Sequence, residues 1–332
     1  MYIVESYSLA VLFCFITMLC WGSWGNTQKL AAKSWRYELF YWDYVIGIVL
    51  LSVILGFTLG SIGDQGRSFI PDLQQADLGN IGSAILGGIV FNAANILLSA
   101  SISIAGLAVA FPLGVGLALV LGVVINYMGQ AKGDPVLLFA GVALVVIAII
   151  LNGVAAGKTQ KDNKSSRKGI ILAVVAGVLM AFFYRFVVAA MDLENFAAPA
   201  VGKMTPYSAF FVFAIGILLS NFIFNTLLMR KPFVGKPVTY KQYFAGNLSL
   251  HMVGVLGGLI WAIGTALSYI ASGEAGTAIS YGLGQGATMV SAAWGVFIWK
   301  EFKGSSKLVN VLIALMFIFF ITGLGFIIYA GS

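Results

Sequence analysis

Leu86–Gly116, LGGIVFNAANILLSASISIAGLAVAFPLGVG, returns without a gap at Leu256–Gly286 as LGGLIWAIGTALSYIASGEAGTAISYGLGQG. Ten of the 31 aligned positions are identical at one offset of 170, and five of those ten are glycine. Leu86-Gly87-Gly88 falls on Leu256-Gly257-Gly258, Ala105-Gly106 on Ala275-Gly276, and Leu113-Gly114 on Leu283-Gly284. Apolar segments share a small alphabet, so chance gives several matches. A register unbroken across a helix pair is harder to obtain that way. Duplicated halves in a membrane chain point to a transporter whose substrate is held where the halves meet.

Composition sets the environment. Hydrophobic residues make up 60% of the chain and charged residues 9%, against roughly 25% charged in an average soluble domain. A spanning helix needs about 20 apolar residues. That rule predicts ten spans, at 7–28, 39–60, 80–103, 106–129, 135–155, 169–190, 206–229, 247–271, 275–299 and 308–330. The expected fold is an all-α integral membrane protein of ten transmembrane helices in two inverted five-helix repeats, 1–156 and 169–332. Five is odd, so the second half lies upside down relative to the first. The polar stretch GKTQKDNKSSRK, residues 157–168, is the cytoplasmic linker between them.

Orientation follows from Lys and Arg. The loops after spans 1, 3, 5, 7 and 9 hold 15 of the 19 basic residues. The other side has Arg67, Lys132 and Lys203, and Arg185 lies within a span. Both termini are therefore expected on the non-cytoplasmic side of a cell membrane. The net charge of +7 is this positive-inside bias and implies no nucleic-acid partner. Only Glu5 is charged before the first span, which reads as a retained helix and not as a signal peptide. Cys14 and Cys20 are about 9 Å apart along that helix, too far and too differently directed for a disulfide. No metal or catalytic motif is recognisable, and no cofactor is expected.

Polar side chains at membrane depth carry the chemistry of such a chain. Asn92 and Asn95 are three residues apart in span 3; they serve either as interhelical glue or as a wet wall for a neutral polar solute. Trp261 and Thr265 in span 8, and Tyr281 and Gln285 in span 9, offer the matching wall, with Trp21, Trp24 and Asn26 from span 1. Aromatic faces with interspersed amides suit a planar amide or a sugar ring. The stretches FPLGVG (111–116) and YGLGQG (281–286) read either as broken-helix segments or as close packing. Trp35, Trp42 and Trp299 fit interfacial anchors.

Asp43 stands in the apolar run Tyr41-Trp42-Asp43-Tyr44, and aligning Gly47 with Gly216 puts Val212 at the same place in the second half. It is either a proton-coupling carboxylate or a partner of Lys29, Lys33 or Arg36. Glu274, in the turn between spans 8 and 9, reads as a solvated turn carboxylate or as an ion-pair partner of Arg185, which otherwise snorkels to the outer surface; Glu274 is also the next carboxylate considered for coupling. His251 reads as interfacial.

Beyond these features, the chain resembles the drug/metabolite transporter superfamily, and within it the ureide permeases and the bacterial glucose/ribose porters. The segments that carry the resemblance are MYIVES (1–6), YWDY (41–44), LGGIV (86–90) and WGVFIWKEFKGSS (294–306). The resemblance implies Asp43 as a functional position. The expected function is secondary active transport, the proton-coupled uptake of a small neutral polar solute, for which the resemblance favours a ureide or nucleobase-like amide and next a monosaccharide. The partners are then the solute, the proton and the lipid bilayer. An exporter of amphipathic compounds is the alternative; a channel and a membrane-embedded enzyme are the readings from other classes.

Overall fold

The computed structural model describes residues 1–159 and 167–332. The chain runs as α1 (Tyr7–Ala31), α2 (Tyr37–Phe57), α3 (Phe69–Gln75), α4 (Leu78–Ala105), α5 (Leu107–Gly129), α6 (Pro135–Thr159), α7 (Arg167–Val188), α8 (Pro206–Arg230), α9 (Tyr240–Phe244), α10 (Leu248–Ala275), α11 (Thr277–Gln285), α12 (Ala287–Ala293), a π-helical turn (Trp294–Ile298) and α13 (Lys307–Tyr329). Nine helices among the described residues are long and apolar enough to cross a membrane: α1, α2, α4 to α8, α10 and α13. The expected linker loses its outer parts to helices, since α6 runs to Thr159 and α7 begins at Arg167. Its remaining positions, 160–166, lie outside the described residues.

The expected ninth span, 275–299, is not one helix. It is cut at Gly286 into α11 and α12 and ends in the π-helical turn. Glycine lets the segment lie close to α1. A Cβ at Gly284 would lie 2.7 Å from the Trp21 ring, and one at Gly286 would lie 2.8 Å from Met18 Sδ. Backbone without side chains lets this segment press against α1.

Large apolar side chains such as Leu12, Leu19, Leu219, Phe222, Ile318 and Ile321 stand exposed on the outside of the bundle. An apolar outer surface of this extent belongs against lipid.

The duplicated register reappears as duplicated geometry. Asp77 caps α4 by accepting from Asn80 N at 2.7 Å, and Asn247, 170 residues on, caps α10 by accepting from Leu250 N at 3.0 Å. Gly106 and Gly276 end those helices at φ 83° and 81°, a region glycine enters without steric cost, and so turn the chain straight into α5 and α11. Where α4 crosses α8, a Cβ on Gly88 would strike the Phe213 carbonyl and one on Gly216 the Ile85 carbonyl. Where α10 crosses α2, Gly258 meets the Tyr44 carbonyl and Gly47 the Val255 carbonyl in the same way. Helix pairing repeats too: α1 packs on α10 and α4 on α7, while α2 meets α8, α5 meets α11 and α6 meets α13.

Candidate functional site

At the centre, α1, α4, α5, α7, α10 and α11 close around a cavity lined by Trp21, Trp24, Phe91, Phe111, Phe183 and Trp261. Two carboxamides, Asn95 and Gln285, complete its polar character, and among the described residues no charged side chain lines it. Phe91 and Trp261 occupy equivalent positions of the duplicated register, as do Val115 and Gln285, so both halves build the wall. The rings lock one another: Trp261 stacks on Phe91 at 4.3 Å between centroids and faces Trp21 at 6.3 Å and 10° between planes. Among the described residues, the indole N–H groups of Trp24 and Trp261 have no hydrogen-bond partner. At about 30 Å³, the cavity has room for little more than a water molecule. A solute therefore enters only when helices move apart.

A vestibule opens at each end of the bundle. One, of about 800 Å³, is lined by the C-terminal ends of α1, α4 and α6 and includes Lys29, Arg36 and Glu301. The other, of about 730 Å³, lies at the opposite end and includes Gln130, Lys132, Glu194 and Glu274. At the first vestibule Lys29 Nζ contacts Glu301 Oε1 at 2.5 Å and rides 4.3 Å over the Trp299 ring. At that same end Arg36 clamps the fully buried Glu38 through Nε and Nη2. At the other end Arg67 clamps the fully buried Asp72 at 3.0 Å. Asp72 also accepts from the Thr205 backbone N–H at 2.8 Å, tying α3 to the start of α8.

Five of the expected solute-binding residues line the cavity: Trp21, Trp24, Asn95, Trp261 and Gln285. Thr265 stands behind them, accepting from Trp21 Nε1 at 3.0 Å while donating to the Trp261 carbonyl at 3.0 Å. Asn92 is elsewhere: its amide donates to Ser220 Oγ on α8 at 2.9 Å, which is the helix-joining role. Tyr281 is sealed, with its hydroxyl donating to the Met180 and Ala118 carbonyls at 3.1 and 3.2 Å. Asn26 lies toward the Lys29 end, where its Oδ1 accepts from Trp299 Nε1 at 2.7 Å. Glu274 belongs to the last turn of α10 and not to the turn that follows. Among the described residues no carboxylate pairs with Arg185, whose guanidinium packs over Gly129. That length of side chain needs a partner with no Cβ, and glycine supplies it.

Asp43 is buried, 1% exposed, inside a cage. Its Oδ1 accepts from the Tyr243 hydroxyl at 2.6 Å and lies 2.8 Å from His251 Nδ1, while Oδ2 accepts from Trp35 Nε1 at 3.1 Å. The basic residues expected to pair with it do not, since Lys29 goes to Glu301 and Arg36 to Glu38. His251 and Trp35 are thus cage walls and not surface anchors. Trp42 is also buried, donating toward Met229 Sδ at 3.2 Å. Burial, and then the bond to the Asp43 carboxylate, push the Tyr243 hydroxyl well above its ordinary value, which keeps it a donor. The cage has no polar counterpart in the duplicate. At offsets of 169 and 170, Trp35, Asp43, Tyr243 and His251 fall on Met204, Val212, Leu73 and Ile81.

A helical membrane bundle with a closed central site between two end vestibules has the build of a membrane transporter. The ureide permease family model matches residues 40–168 and 163–330, and the chain belongs to that family. Ureide permease 1 of Arabidopsis thaliana is 24% identical over 377 residues, covering 97% of this chain and 96% of its own. Glucose uptake protein GlcU of Bacillus subtilis (strain 168) is 25% identical over 227 residues, covering 66% and 68%. A crystal structure of another protein, 15% identical, matches with a TM-score of 0.62 over 96% of each chain, which shows the shared fold. The chain is a multi-pass membrane transporter of small molecules, not an enzyme.

Proposed function

We propose that this chain is a secondary active carrier that takes up a small neutral polar solute together with a proton, across the cell membrane. The cavity lining carries the reading: among the described residues it has six aromatic rings, two carboxamides and no charge. Rings stack on a planar or pyranose face, and the amides and free indole N–H groups bond its oxygens. A charged solute would meet no counter-charge there and would leave its hydration behind. A ureide or nucleobase-like amide fits this chemistry first and a monosaccharide second. The Arabidopsis relatives are named for ureides and the Bacillus relative for glucose uptake.

Alternation between two inverted five-helix halves, 1–156 and 169–332, is the proposed motion, with residues 157–168 on the cytoplasmic side and both termini outside. The repeated caps, crossings and helix pairings support it. Asp43 is the proposed coupling carboxylate. Its cage exists at one end only, so exchanging the roles of the halves does not regenerate it, and the two end states differ in what they do to a proton.

Proteoliposomes test this. Wild type under an inward proton gradient should concentrate radiolabelled allantoin, uracil or glucose. Asp43→Asn should abolish accumulation and its pH dependence while solute exchange survives. If Asp43→Asn still concentrates solute with an unchanged pH profile, coupling does not pass through Asp43, and Glu274 is the next carboxylate to replace.

A further inference from the structure

Asp43 is almost closed off from water. Its side chain is 2% exposed, whereas that of His251, with Nδ1 2.8 Å away, is 22% exposed. The imidazole therefore bridges the buried carboxylate and the end of the bundle that carries Lys29 and Glu301. Its ring stands edge-on to Trp35 at 5.2 Å and to Tyr243 at 4.8 Å, which fixes its plane. The Nε2 edge points at the turn between α9 and α10. Gly246 packs beside that edge, and any larger residue would cover it, because a Cβ there would lie 2.8 Å from Nε2.

We infer that His251 shares the coupling proton with Asp43 and passes it to and from water at its Nε2. This rests on the proton-coupled reading above. In one direction a water proton adds to Nε2 as the Nδ1 proton moves to Asp43 Oδ1. The imidazole ends neutral as the other tautomer and the carboxyl ends protonated. Release is the reverse, so one proton enters and one leaves. The groups that meet Asp43 are His251 from α10, Tyr243 from α9 and Trp35 from the loop before α2, and of these the imidazole is the side chain built to gain and lose a proton near neutral pH. Protonation keeps one hydrogen between Oδ1 and Nδ1 but removes the carboxylate charge, so the bonds from Tyr243 and Trp35 lose their charge assistance and the cage that binds α2 to α10 loosens. Tyr44 sits one residue further along α2, its ring 4.9 Å from Trp24 and 6.4 Å from Trp261. Loosening the cage is thereby felt at the cavity wall.

The test separates relay from scaffold. Asn at position 251 can present an amide N–H where Nδ1 stands but cannot carry a proton. His251→Asn should keep counterflow of the solute that wild type exchanges among allantoin, uracil and glucose. It should lose solute-driven proton uptake, read by an internal pH dye. His251→Asn moving protons with the wild-type pH profile would overturn the inference. A second measurement needs no variant. His251 is the only histidine of the chain, so with a histidine-free tag every labelled imidazole signal in an NMR titration is its own. The ring should switch between its Nδ1–H and Nε2–H tautomers across the pH range in which accumulation changes, and should lose that switch in Asp43→Asn. A ring that keeps one tautomer throughout that range would refute the relay. Wild type that exchanges none of the three solutes would instead count against the carrier reading, and exchange without proton movement against coupling. The imidazole titration decides the relay in either case.

Discussion

Trp21 and Trp261 lie almost parallel across the cavity, 10° apart in plane, and the Trp21 N–H is held by Thr265, four residues beyond Trp261 on α10. One helix of the second half thus sets the orientation of the ring supplied by the first. A solute plane entering the cavity finds these faces already fixed, so little side-chain freedom remains to be lost on binding.

Thr265→Val tests that arrangement. Valine keeps the shape and removes the acceptor, leaving the Trp21 N–H unpaired in a buried place, at a cost of about 1–3 kcal/mol. The expected outcome is a lower unfolding temperature in detergent and a raised KM for exchange, with a red shift in tryptophan emission. Unchanged values for all three would mean that Thr265 does not hold Trp21.

The two glycine crossings should respond alike. Gly88→Ala and Gly258→Ala each push a methyl into a neighbouring helix carbonyl, and overpacking of this kind costs about 1–3 kcal/mol. Thermal unfolding of the two variants should fall by similar amounts. A large loss in one and none in the other would show that the crossings are not equivalent.

Asp72 is fully buried against Arg67 at 3.0 Å. Asp72→Ala leaves the part-exposed Arg67 still bonded to the Ala200 and Lys203 carbonyls but takes the acceptor from the buried Thr205 N–H, and should destabilise by about 1–3 kcal/mol. Scanning calorimetry of the purified variant reads the shift; a loss below about 1 kcal/mol would mark the pair as solvated in the membrane-bound protein.

Topology has its own test. In a chain with Cys14 and Cys20 replaced by Ala, an impermeant thiol reagent applied to intact cells should label Ser332→Cys and spare Lys158→Cys. The reverse pattern would invert the proposed orientation.

Much of the helical plan was legible because hydropathy and length are sufficient signals for a spanning helix. The exception was the ninth segment, where hydropathy is blind to the break at Gly286. The site was legible in part. Trp21, Trp24, Asn95, Trp261 and Gln285 reach the cavity, but Asn92 does not. A spacing of three leaves two side chains about 60° apart around a helix, enough to turn Asn92 to Ser220 while Asn95 faces the centre. The Asp43–His251 contact spans 208 residues and carries no local sequence signal. The duplicated glycines held the clue, since Gly47 and Gly258 mark the crossing of α2 and α10 a few residues away.

Counterflow measures the central claim most directly, that a cavity shared by both halves carries the solute. Proteoliposomes preloaded with unlabelled allantoin, uracil or glucose are diluted into the labelled compound. Wild type should take up label transiently above equilibrium for at least one of them, which a channel cannot do. Asn95→Leu and Gln285→Leu, which keep the cavity lined but remove its amides, should abolish that overshoot in protein that still unfolds at the wild-type temperature. An overshoot of wild-type size in both variants would contradict the account.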